Sequence, residues 1–327
     1  MLHNDQPLFE QVILRVSEDT GIEASIIEKD YYVTLFLQRI VTRLPNIIFK
    51  GGTSLSKCYK LINRFSEDID LNIETDTHPT EGQRKKLKEA IVSIIDELGF
   101  TLTNPDNVRS RRDYNRYIVD YPTLFPTSYL KEHLIVETAV YIKAYPCKRM
   151  LASSLIYDYL ERNGYTEMIE QYSLQPFVLN VQSAERTLID KVFALGDYYL
   201  SDVVYEHSRH VYDIYKLLGV VTLNDSMKQL VQSVREERML CEIILDLLLS
   251  PTYRISMPIT EIHVHWNCNS YSVWPRCKAT IHLSHESAEL LFLISATTSD
   301  IVSLNTFFFS SHSQIMITFH PAAFNSA

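Results

Sequence analysis

The sequence predicts an α+β fold, in which a mixed α/β N-terminal half precedes a helical half and a tail of different composition. Three observations support this prediction. Residues 47–73 read as strand, short helix and strand, apolar residues recur at helical spacing from about 151 to 250, and the composition changes beyond about 255. The predicted domain boundaries are 1–150 for the mixed domain, 151–254 for the helical domain and 255–327 for the tail.

The N-terminal half is predicted element by element. Residues 22–44 carry apolar residues at helical spacing, and Pro45 ends this helix. A short buried strand over 47–50 leads into a helix over 53–63, which Thr53 can cap. The other elements predicted in this half are a strand ending near Ile73, a helix over 83–98, and strands over 114–122 and 132–143.

The second half is predicted to contain helices over 151–163, 183–199, 205–219, 226–234 and 236–249. The tail differs in kind, because it holds six of the eleven histidines, both tryptophans and only five charged residues between His263 and Ala327. Short β-prone stretches rich in Ser and Thr dominate it. A small β appendage, a poorly ordered tail and a reading-frame change in the coding sequence all remain open.

Composition and charge exclude several classes of protein. The chain is 46% hydrophobic and 22% charged, which is typical of a soluble globular protein. No apolar run approaches the roughly 18 residues of a membrane span, and the N-terminus lacks the pattern of a secretory signal. The five scattered cysteines read as reduced thiols, so a cytoplasmic location is expected. The net charge of -9 opposes indiscriminate binding to nucleic acid.

The segment from residue 50 to residue 73 carries the predicted chemistry. Gly51 and Gly52 stand at a strand end, where they let the backbone turn sharply and approach a ligand closely. Asp68 and Asp70 flank Ile69, so on a strand the two carboxylates share one face. Two carboxylates facing a glycine turn with exposed amides suit a magnesium-bound triphosphate. The pattern therefore predicts a nucleotide-handling site.

Two motifs in this segment, GGTSLSK at 51–57 and RFSEDIDL at 64–71, resemble the AbiEii/AbiGii toxin group of the DNA polymerase β-like nucleotidyltransferase superfamily. The resemblance covers roughly residues 20 to 250, and it extends to EKDYYVTLFL (28–37), ERTLIDKVFAL (185–195) and RHVYDIYKLL (209–218). Fifteen residues separate Gly52 from Asp68, which is more than is usual across the superfamily. A one-turn extension of the intervening helix would absorb the difference.

The resemblance implies a small mixed sheet flanked by helices, joined to a helical domain. It also implies transfer of a nucleoside monophosphate from a nucleoside triphosphate (NTP), with pyrophosphate leaving. Asp68 and Asp70 would hold two Mg²⁺ ions, and the amides around Gly51, Gly52, Thr53 and Ser54 would hold the β- and γ-phosphates. The further candidate phosphate contacts are the side chains of Ser54, Lys57, Arg64 and Ser66.

Three more residues are implied to take part. A third carboxylate usually completes such a metal pair, and Glu137 fits because its strand is otherwise apolar. The alternative is a Glu paired with a basic residue or turned outward. Lys191 and Asp213 lie in the family-like helices, where Lys191 could contact phosphate and Asp213 could orient it. For this pair the alternative is a salt bridge between helices.

Other charged residues are interpreted more conservatively. Lys29 and Asp30 are expected to serve packing or ion pairing rather than chemistry. A basic patch, formed by Arg109, Arg111, Arg112 and Arg116 with Tyr114 and Tyr117 interleaved, could hold an RNA backbone and stack on a base, or could be a solvated loop. The tail contains zinc-ligand residue types at His263, His265, Cys268, Cys277, His282 and His285, but their spacing matches no zinc-finger pattern.

The leading hypothesis is a magnesium-dependent nucleotidyltransferase that acts as the toxin of a toxin–antitoxin or phage abortive-infection system. By resemblance its acceptor is RNA, tRNA in particular, and its protein partner is a cognate antitoxin. One alternative is a nucleotidyltransferase that modifies a small hydroxylated molecule such as an antibiotic. The other is a non-catalytic binding module that has kept the fold.

Overall fold

The computed structural model describes residues 1–75, 77–127, 130–200 and 209–240, and four strands of the tail at 262–267, 278–284, 308–309 and 314–318. The predicted α+β class is confirmed, since a seven-stranded mixed sheet is flanked by helices. The chain divides into two compact units, Met1–Thr187 and Leu188–Ala327. The three-domain division drawn from the sequence stays a prediction.

The first unit contains helices α1 to α6, the first four residues of α7, and strands β1 to β7. Its helices are α1 Gln6–Thr20, α2 Ala24–Arg43, α3 Gly51–Lys57, α4 Glu81–Glu97, α5 Leu155–Arg162, α6 Thr166–Gln171 and α7 Ala184–Leu200. Its strands are β1 Ile47–Lys50, β2 Asp68–Ile73, β3 Thr101–Leu102, β4 Tyr114–Asp120, β5 Leu134–Ala139, β6 Cys147–Ala152 and β7 Phe177–Gln182. Two 3₁₀ turns lie at Leu2–Asn4 and Pro105–Asn107.

The strand order of the sheet is β3-β4-β5-β2-β1-β7-β6. The pairs β2/β5 and β1/β7 are parallel, and the other neighbours are antiparallel. Strand β2 is the middle strand, so the two aspartates that it carries lie at the centre of the sheet. One sheet face is apolar, because residues such as Phe49, Ile69 and Leu71 are fully buried in the same core as α2 and α4.

Several predicted elements differ from the structure. The helix expected over 53–63 is wrong in length, because α3 ends at Lys57 and residues 58–67 form a turn and loop. Lys60 has φ of +51°, a left-handed conformation that no α-helix continues through. The extra residues before Asp68 are therefore accommodated in a loop, and the proposed one-turn extension of the helix is wrong.

The sequence-based prediction also misses strands in the supposedly helical half. The helix placed over 151–163 begins only at Leu155, because residues 147–152 form the edge strand β6 and pair with β7. Helix α1 was not predicted, and α9 runs unbroken over Asp225–Leu240 where two helices were expected. Residues 205–208 and 241–249 of the predicted helices lie outside the described residues.

The second unit contains the remainder of α7, α8 Arg209–Leu218 and α9 Asp225–Leu240. Helix α8 is amphipathic, and its buried positions include Val211, Ile214 and the charged Asp213. Four described strands of the tail form an antiparallel sheet in the order β10-β11-β9-β8. They are β8 Ile262–Asn267, β9 Lys278–Ser284, β10 Phe308–Phe309 and β11 Gln314–Thr318.

Candidate active site

Three carboxylates share the polar face of the sheet. Asp68 and Asp70 alternate with the fully buried Ile69 and Leu71 along β2, so both point away from the apolar core. Glu137 on the parallel strand β5 is the register partner of Asp70. Neighbouring strands lie about 4.8 Å apart, and register partners point to the same face. The structure therefore places Glu137 beside Asp70.

Charged residues form a row across four strands at this level. Lys50 on β1 pairs in register with Asp70, Asp70 with Glu137, and Glu137 with Arg116 on β4. The Arg116 Nε lies 3.5 Å from Glu137 Oε1. Asp70 and Glu137 thus have a basic residue on each side. The sequence alone does not indicate that Lys50 and Arg116 are neighbours of these carboxylates.

Tyr114 also contacts Glu137. Burial raises the pKa of the Tyr114 phenol, and the charge and hydrogen bonding of Glu137 raise it further. The phenol is therefore protonated at neutral pH and donates a hydrogen bond to the carboxylate. Tyr114 remains 44% exposed, so its ring is open to solvent while its hydroxyl is held at the site.

The glycine turn lies directly against this face. Gly51 has φ of +75°, and a Cβ at this position would meet Asp70 Oδ2 at 1.9 Å. A Cβ on Gly52 would lie 2.8 Å from Ser66 Oγ and 2.9 Å from a terminal guanidinium nitrogen of Arg64. Two absent side chains therefore allow Asp70, Ser66 and Arg64 to approach the backbone of the turn.

The hydroxyls that follow the glycines are used within the protein. Thr53 Oγ1 donates to the backbone oxygen of Asp68 at 2.5 Å and lies 3.0 Å from Ser66 Oγ. Ser54 Oγ donates to the backbone oxygen of Gly51 at 2.8 Å. Both residues are buried. Thr53 therefore holds α3 against β2, and Ser54 bonds within α3, which leaves the backbone amides of the turn as its possible phosphate donors.

Lys57 is placed differently from its predicted role as a phosphate contact. It is 5% exposed, and its ammonium donates to Asp30 Oδ1 at 2.6 Å, to Thr34 Oγ1 at 2.7 Å and to the Ser153 backbone oxygen at 3.2 Å. All three of its N–H donors are thus occupied. In this structure Lys57 joins α3 to α2 and to the segment before α5, and it presents no free ammonium to the carboxylates.

Asp68 has a partner that the sequence did not indicate. The Lys131 ammonium lies 2.8 Å from Asp68 Oδ1 and 3.0 Å from Oδ2. Lys131 belongs to the loop before β5 and lies 63 residues further along the chain. No motif or periodicity joins the two positions, so only the tertiary structure reveals this contact.

The EKD segment of α2 contacts three separate segments of the chain. Glu28 accepts hydrogen bonds from the Thr123 hydroxyl and from the backbone N–H groups of Leu124 and Phe125. Lys29 and Asp30 make the other two connections, to Glu67 (2.6 Å) and to Lys57 (2.6 Å), respectively. Burial lowers the pKa of the Lys29 ammonium, while the Glu67 carboxylate raises it. These contacts agree with the interpretation that Lys29 and Asp30 serve ion pairing.

Lys191 and Asp213 form a buried ion pair within the second unit. Lys191 Nζ lies 2.7 Å from Asp213 Oδ2, and the side chains are 8% and 0% exposed. The pair joins α7 to α8. This geometry suits an Asp that orients a Lys, and it equally suits the salt bridge between helices that was the alternative.

The basic patch is only partly as expected. Along β4, exposed and buried residues alternate, so Tyr114 and Arg116 are exposed while Tyr117 is 1% exposed. Tyr117 belongs to the core, and the expectation that it stacks on a base is wrong for that reason. Arg111 lies 3.2 Å from Glu81 and is exposed. Arg112 donates to the Asn107 backbone oxygen.

No preassembled metal site is present among the described residues, because no three His, Cys, Asp or Glu side chains converge on one point. The donors of the polar face nevertheless suit Mg²⁺, which prefers carboxylate oxygens. Basic groups already lie against two of the three carboxylates, Lys131 at Asp68 and Arg116 at Glu137. The side chains of the zinc-type residues in the tail lie outside what the structure describes.

Comparison with protein families gives one match. A family model described as "Nucleotidyl transferase AbiEii toxin, Type IV TA system" matches residues 35–263, which is more than half of the chain. Comparison with curated proteins gives no match. No described helix combines the length and the apolar character that a membrane span requires.

Proposed function

The chain belongs to the AbiEii family of nucleotidyl transferase toxins, and from this premise we propose that it transfers a nucleoside monophosphate from an NTP to RNA. The family assigned by resemblance is thereby confirmed, and the protein is a nucleotidyl transferase of a type IV toxin–antitoxin system. We propose in addition that RNA is the acceptor, that transfer depends on Mg²⁺ and that the residues named below carry the reaction.

One observation carries the proposed site. The carboxylate of Asp70 lies against the backbone of Gly51, and Glu137 is its register partner on the adjacent strand. A triphosphate on the amides of this turn would therefore have its phosphorus atoms next to the acidic face. The same juxtaposition brings Ser66 and Arg64 against Gly52, where a hydroxyl and a guanidinium can donate to phosphate oxygens.

In the proposed mechanism the chain binds and orients both substrates. The backbone N–H groups of Gly51 to Ser54, with Arg64 and Ser66, bind the β- and γ-phosphates and favour the charge of the departing pyrophosphate. Asp68, Asp70 and Glu137 would hold two Mg²⁺ ions. Such ions would make the acceptor hydroxyl more acidic and would neutralise charge on the triphosphate. Lys191 and Asp213 are proposed as a further pair that the transfer requires. Lys57 is omitted because its donors are occupied.

RNA, and tRNA in particular, is proposed as the acceptor. The support is the family resemblance together with the exposed side chains of Tyr114 and Arg116 at Glu137, and of Arg111 in the segment before β4. An aromatic ring beside guanidinium groups can stack on a base and neutralise phosphates. A small hydroxylated acceptor is the competing proposal, because the chain is acidic overall and both of these arginines have acidic partners.

The reaction is tested with labelled substrates. The full-length protein is incubated with each α-labelled NTP, Mg²⁺ and total RNA, and Asp70→Asn serves as the inactive control. We expect label in RNA with the parent and at least about a hundredfold less with the variant, because the variant loses a ligand charge at the reacting centre. Absence of label from RNA and from small molecules, with Asp68→Ala as toxic to cells as the parent, would contradict the proposal.

The acceptor class is tested by a charge substitution. Arg111→Gln combined with Arg112→Gln should weaken transfer to RNA and reduce its salt dependence, since each lost phosphate contact lowers the slope by about one. Arg15→Gln is the matched control, because Arg15 is an exposed arginine paired with Glu18 on α1. Equal RNA transfer by all three proteins would show that Arg111 and Arg112 do not bind the RNA, and label in a small molecule but not in RNA would favour the small-molecule acceptor.

The family indicates a partner and a substrate for this protein, and a cellular role is proposed in addition. Membership of a type IV toxin–antitoxin family implies an antitoxin partner and an NTP substrate. We further propose that the toxin serves phage defence by abortive infection, and that it acts in the cytoplasm, where NTPs and tRNA are found. Expression with and without a neighbouring antitoxin gene, with and without phage challenge, tests both statements by growth and by plaque counts.

A further inference from the structure

The backbone of Lys131, although in a loop, is hydrogen-bonded by two charged side chains. Its backbone N–H donates to Glu67 Oε2 at 2.9 Å, and its backbone oxygen accepts from the Lys29 ammonium at 2.5 Å. Lys29 is fully buried and bonds the same Glu67 oxygen at 2.6 Å. One ion pair between α2 and the residue before β2 therefore clamps the Lys131 backbone on both sides of its Cα.

The clamp aims the side chain at one of the proposed metal ligands. The ammonium contacts both oxygens of Asp68, and the Lys131 and Asp68 side chains are 36% and 22% exposed. Glu67, which fixes the backbone, immediately precedes Asp68 in the chain. The carboxylate and the amine are therefore positioned by a common element and keep their geometry relative to each other.

The contact between Lys131 and Asp68 lies beside two further acidic residues, and this affects the electrostatics of the site. Asp68 and Asp70 share a face on which Glu137 also lies, so three negatively charged residues occupy nearby positions on two adjacent strands. Like charges at such separations repel one another. An ammonium on Asp68 reduces this repulsion, and its partial exposure leaves it free to move into solvent without breaking the backbone clamp.

We propose that Lys131 is a built-in counter-ion of Asp68, which neutralises the carboxylate in the metal-free protein and leaves it when a divalent cation binds. The inference rests on the proposed function, in which Asp68 is a metal ligand. Lys131 is thus a positioning residue that preserves the ligand geometry and lowers the affinity for the metal. Lys29 and Glu67 act through it, because they fix the backbone from which the ammonium reaches Asp68.

Metal binding without nucleotide tests the inference. Free Mn²⁺ is measured by its electron paramagnetic resonance signal during titration of the full chain. Lys131→Met should bind Mn²⁺ about fivefold more tightly than the parent, because a partly exposed ion pair no longer competes. Lys131→Arg keeps the charge and should stay within about twofold of the parent. Lys85→Met removes an equal charge from the exposed face of α4 and should leave the affinity unchanged.

The outcomes separate this inference from the proposed function. If Asp68→Asn weakens Mn²⁺ binding but Lys131→Met binds no more tightly than the parent, the counter-ion role is wrong and the metal assignment stands. If Asp68→Asn binds Mn²⁺ as the parent does, both are wrong. Lys131→Gln gives the same comparison if Lys131→Met does not fold, and thermal unfolding without metal verifies that each variant is folded.

Discussion

The candidate active site depends on Gly51, whose lack of a side chain lets the Asp70 carboxylate lie against the backbone. Gly51 combines a left-handed φ of +75° with the contact between its backbone and the Asp70 carboxylate. Any other residue would face both a strained backbone and a collision at 1.9 Å with Asp70 Oδ2. Gly164 has the same φ of +75°, but a Cβ there would meet no atom within 4 Å. Substituting Gly164 introduces backbone strain alone, whereas substituting Gly51 introduces the same strain and a collision with Asp70.

We predict that Gly51→Ala and Gly164→Ala each lose about 1–3 kcal/mol of stability from the positive φ. Gly51→Ala should in addition lose about a hundredfold in nucleotidyl transfer, because the displaced Asp70 carboxylate no longer sits at the reacting centre. Urea denaturation measures the stability, and incorporation of labelled NTP measures the transfer. Equal activity of the two variants would show that the position of Asp70 beside the turn is not required.

The buried ion pair of Lys191 with Asp213 either only joins α7 to α8 or also takes part in transfer. Breaking a buried pair by removing one partner costs about 3–5 kcal/mol, whereas replacing both partners by apolar residues is often neutral. A pair that only joins α7 to α8 and a pair that takes part in transfer therefore respond differently to a double substitution.

We predict that Lys191→Met lowers the free energy of unfolding by about 3–5 kcal/mol and abolishes transfer. The double variant Lys191→Met with Asp213→Leu should recover most of the stability and none of the transfer, because the lysine charge proposed to take part in transfer is still missing. Chemical denaturation and label incorporation are measured on the same preparations. Recovery of both properties in the double variant would make the pair structural.

Helix α2 organises the first unit through three consecutive charged residues. Glu28 contacts the loop after β4, Lys29 contacts Glu67 immediately before β2, and Asp30 contacts the last residue of α3. All three segments adjoin strands or the helix that carry the candidate site. Consecutive positions on a helix point in directions about 100° apart, so one short segment can reach several neighbours. This arrangement explains why a motif without an obvious chemical role accompanies the glycine and aspartate motifs.

We predict that Lys29→Met destabilises the protein by about 3–5 kcal/mol, because Glu67 is left without its buried partner. Each kcal/mol lowers Tm by roughly 2–4 °C in a chain of this size class. Lys85→Met is the control, since Lys85 is an exposed lysine paired with Glu89 on α4. Thermal unfolding by circular dichroism gives both values, and a Tm within about 1 °C of the parent for Lys29→Met would contradict the proposed clamp.

The elements that were predicted wrongly share a cause. Strand β6 has an irregular burial pattern and exposes Lys148 and Arg149, as sheet edges often do, so its sequence shows no period of two. It is specified by antiparallel pairing with β7, about 30 residues further along the chain. The end of helix α3 is joined to α2 by the hydrogen bond from Lys57 to Asp30, and the left-handed backbone of Lys60 prevents the helix from continuing. These long-range causes leave little trace in local periodicity.

At the scale of the whole molecule, every residue proposed to bind the nucleotide or take part in transfer lies before the atypical tail. The residues proposed to carry the reaction lie between residues 51 and 213, and the family match ends at residue 263. The four described tail strands pair only with one another in their own sheet. Transfer should therefore not depend on the tail.

We predict that a chain ending at residue 254 retains nucleotidyl transfer within about threefold of the full protein, because no group proposed to bind substrate is removed. Label incorporation is compared at equal concentrations of folded protein, and thermal unfolding verifies folding. A folded but inactive truncation would show that the tail takes part in the reaction and that the predicted boundary at 254 is misplaced.

Local patterns along the chain were sufficient for the fold class, the glycine turn, the shared face of Asp68 and Asp70, and the family. These features depend on residues within a few positions of one another, where a period of two or a motif carries the information. Glu137 was singled out because a carboxylate in an apolar strand is unusual, but its place beside Asp70 depends on strand order and register.

Only the tertiary structure decided which charges meet. It paired Lys131 with Asp68, buried Lys57 among three acceptors, and placed Tyr117 in the core while Tyr114 stayed at the site. The physical reason is that ion pairs and burial arise from segments brought together across tens of residues. A lysine in a motif and a lysine in a loop look alike in sequence, and their surroundings determine which one reaches the acidic face.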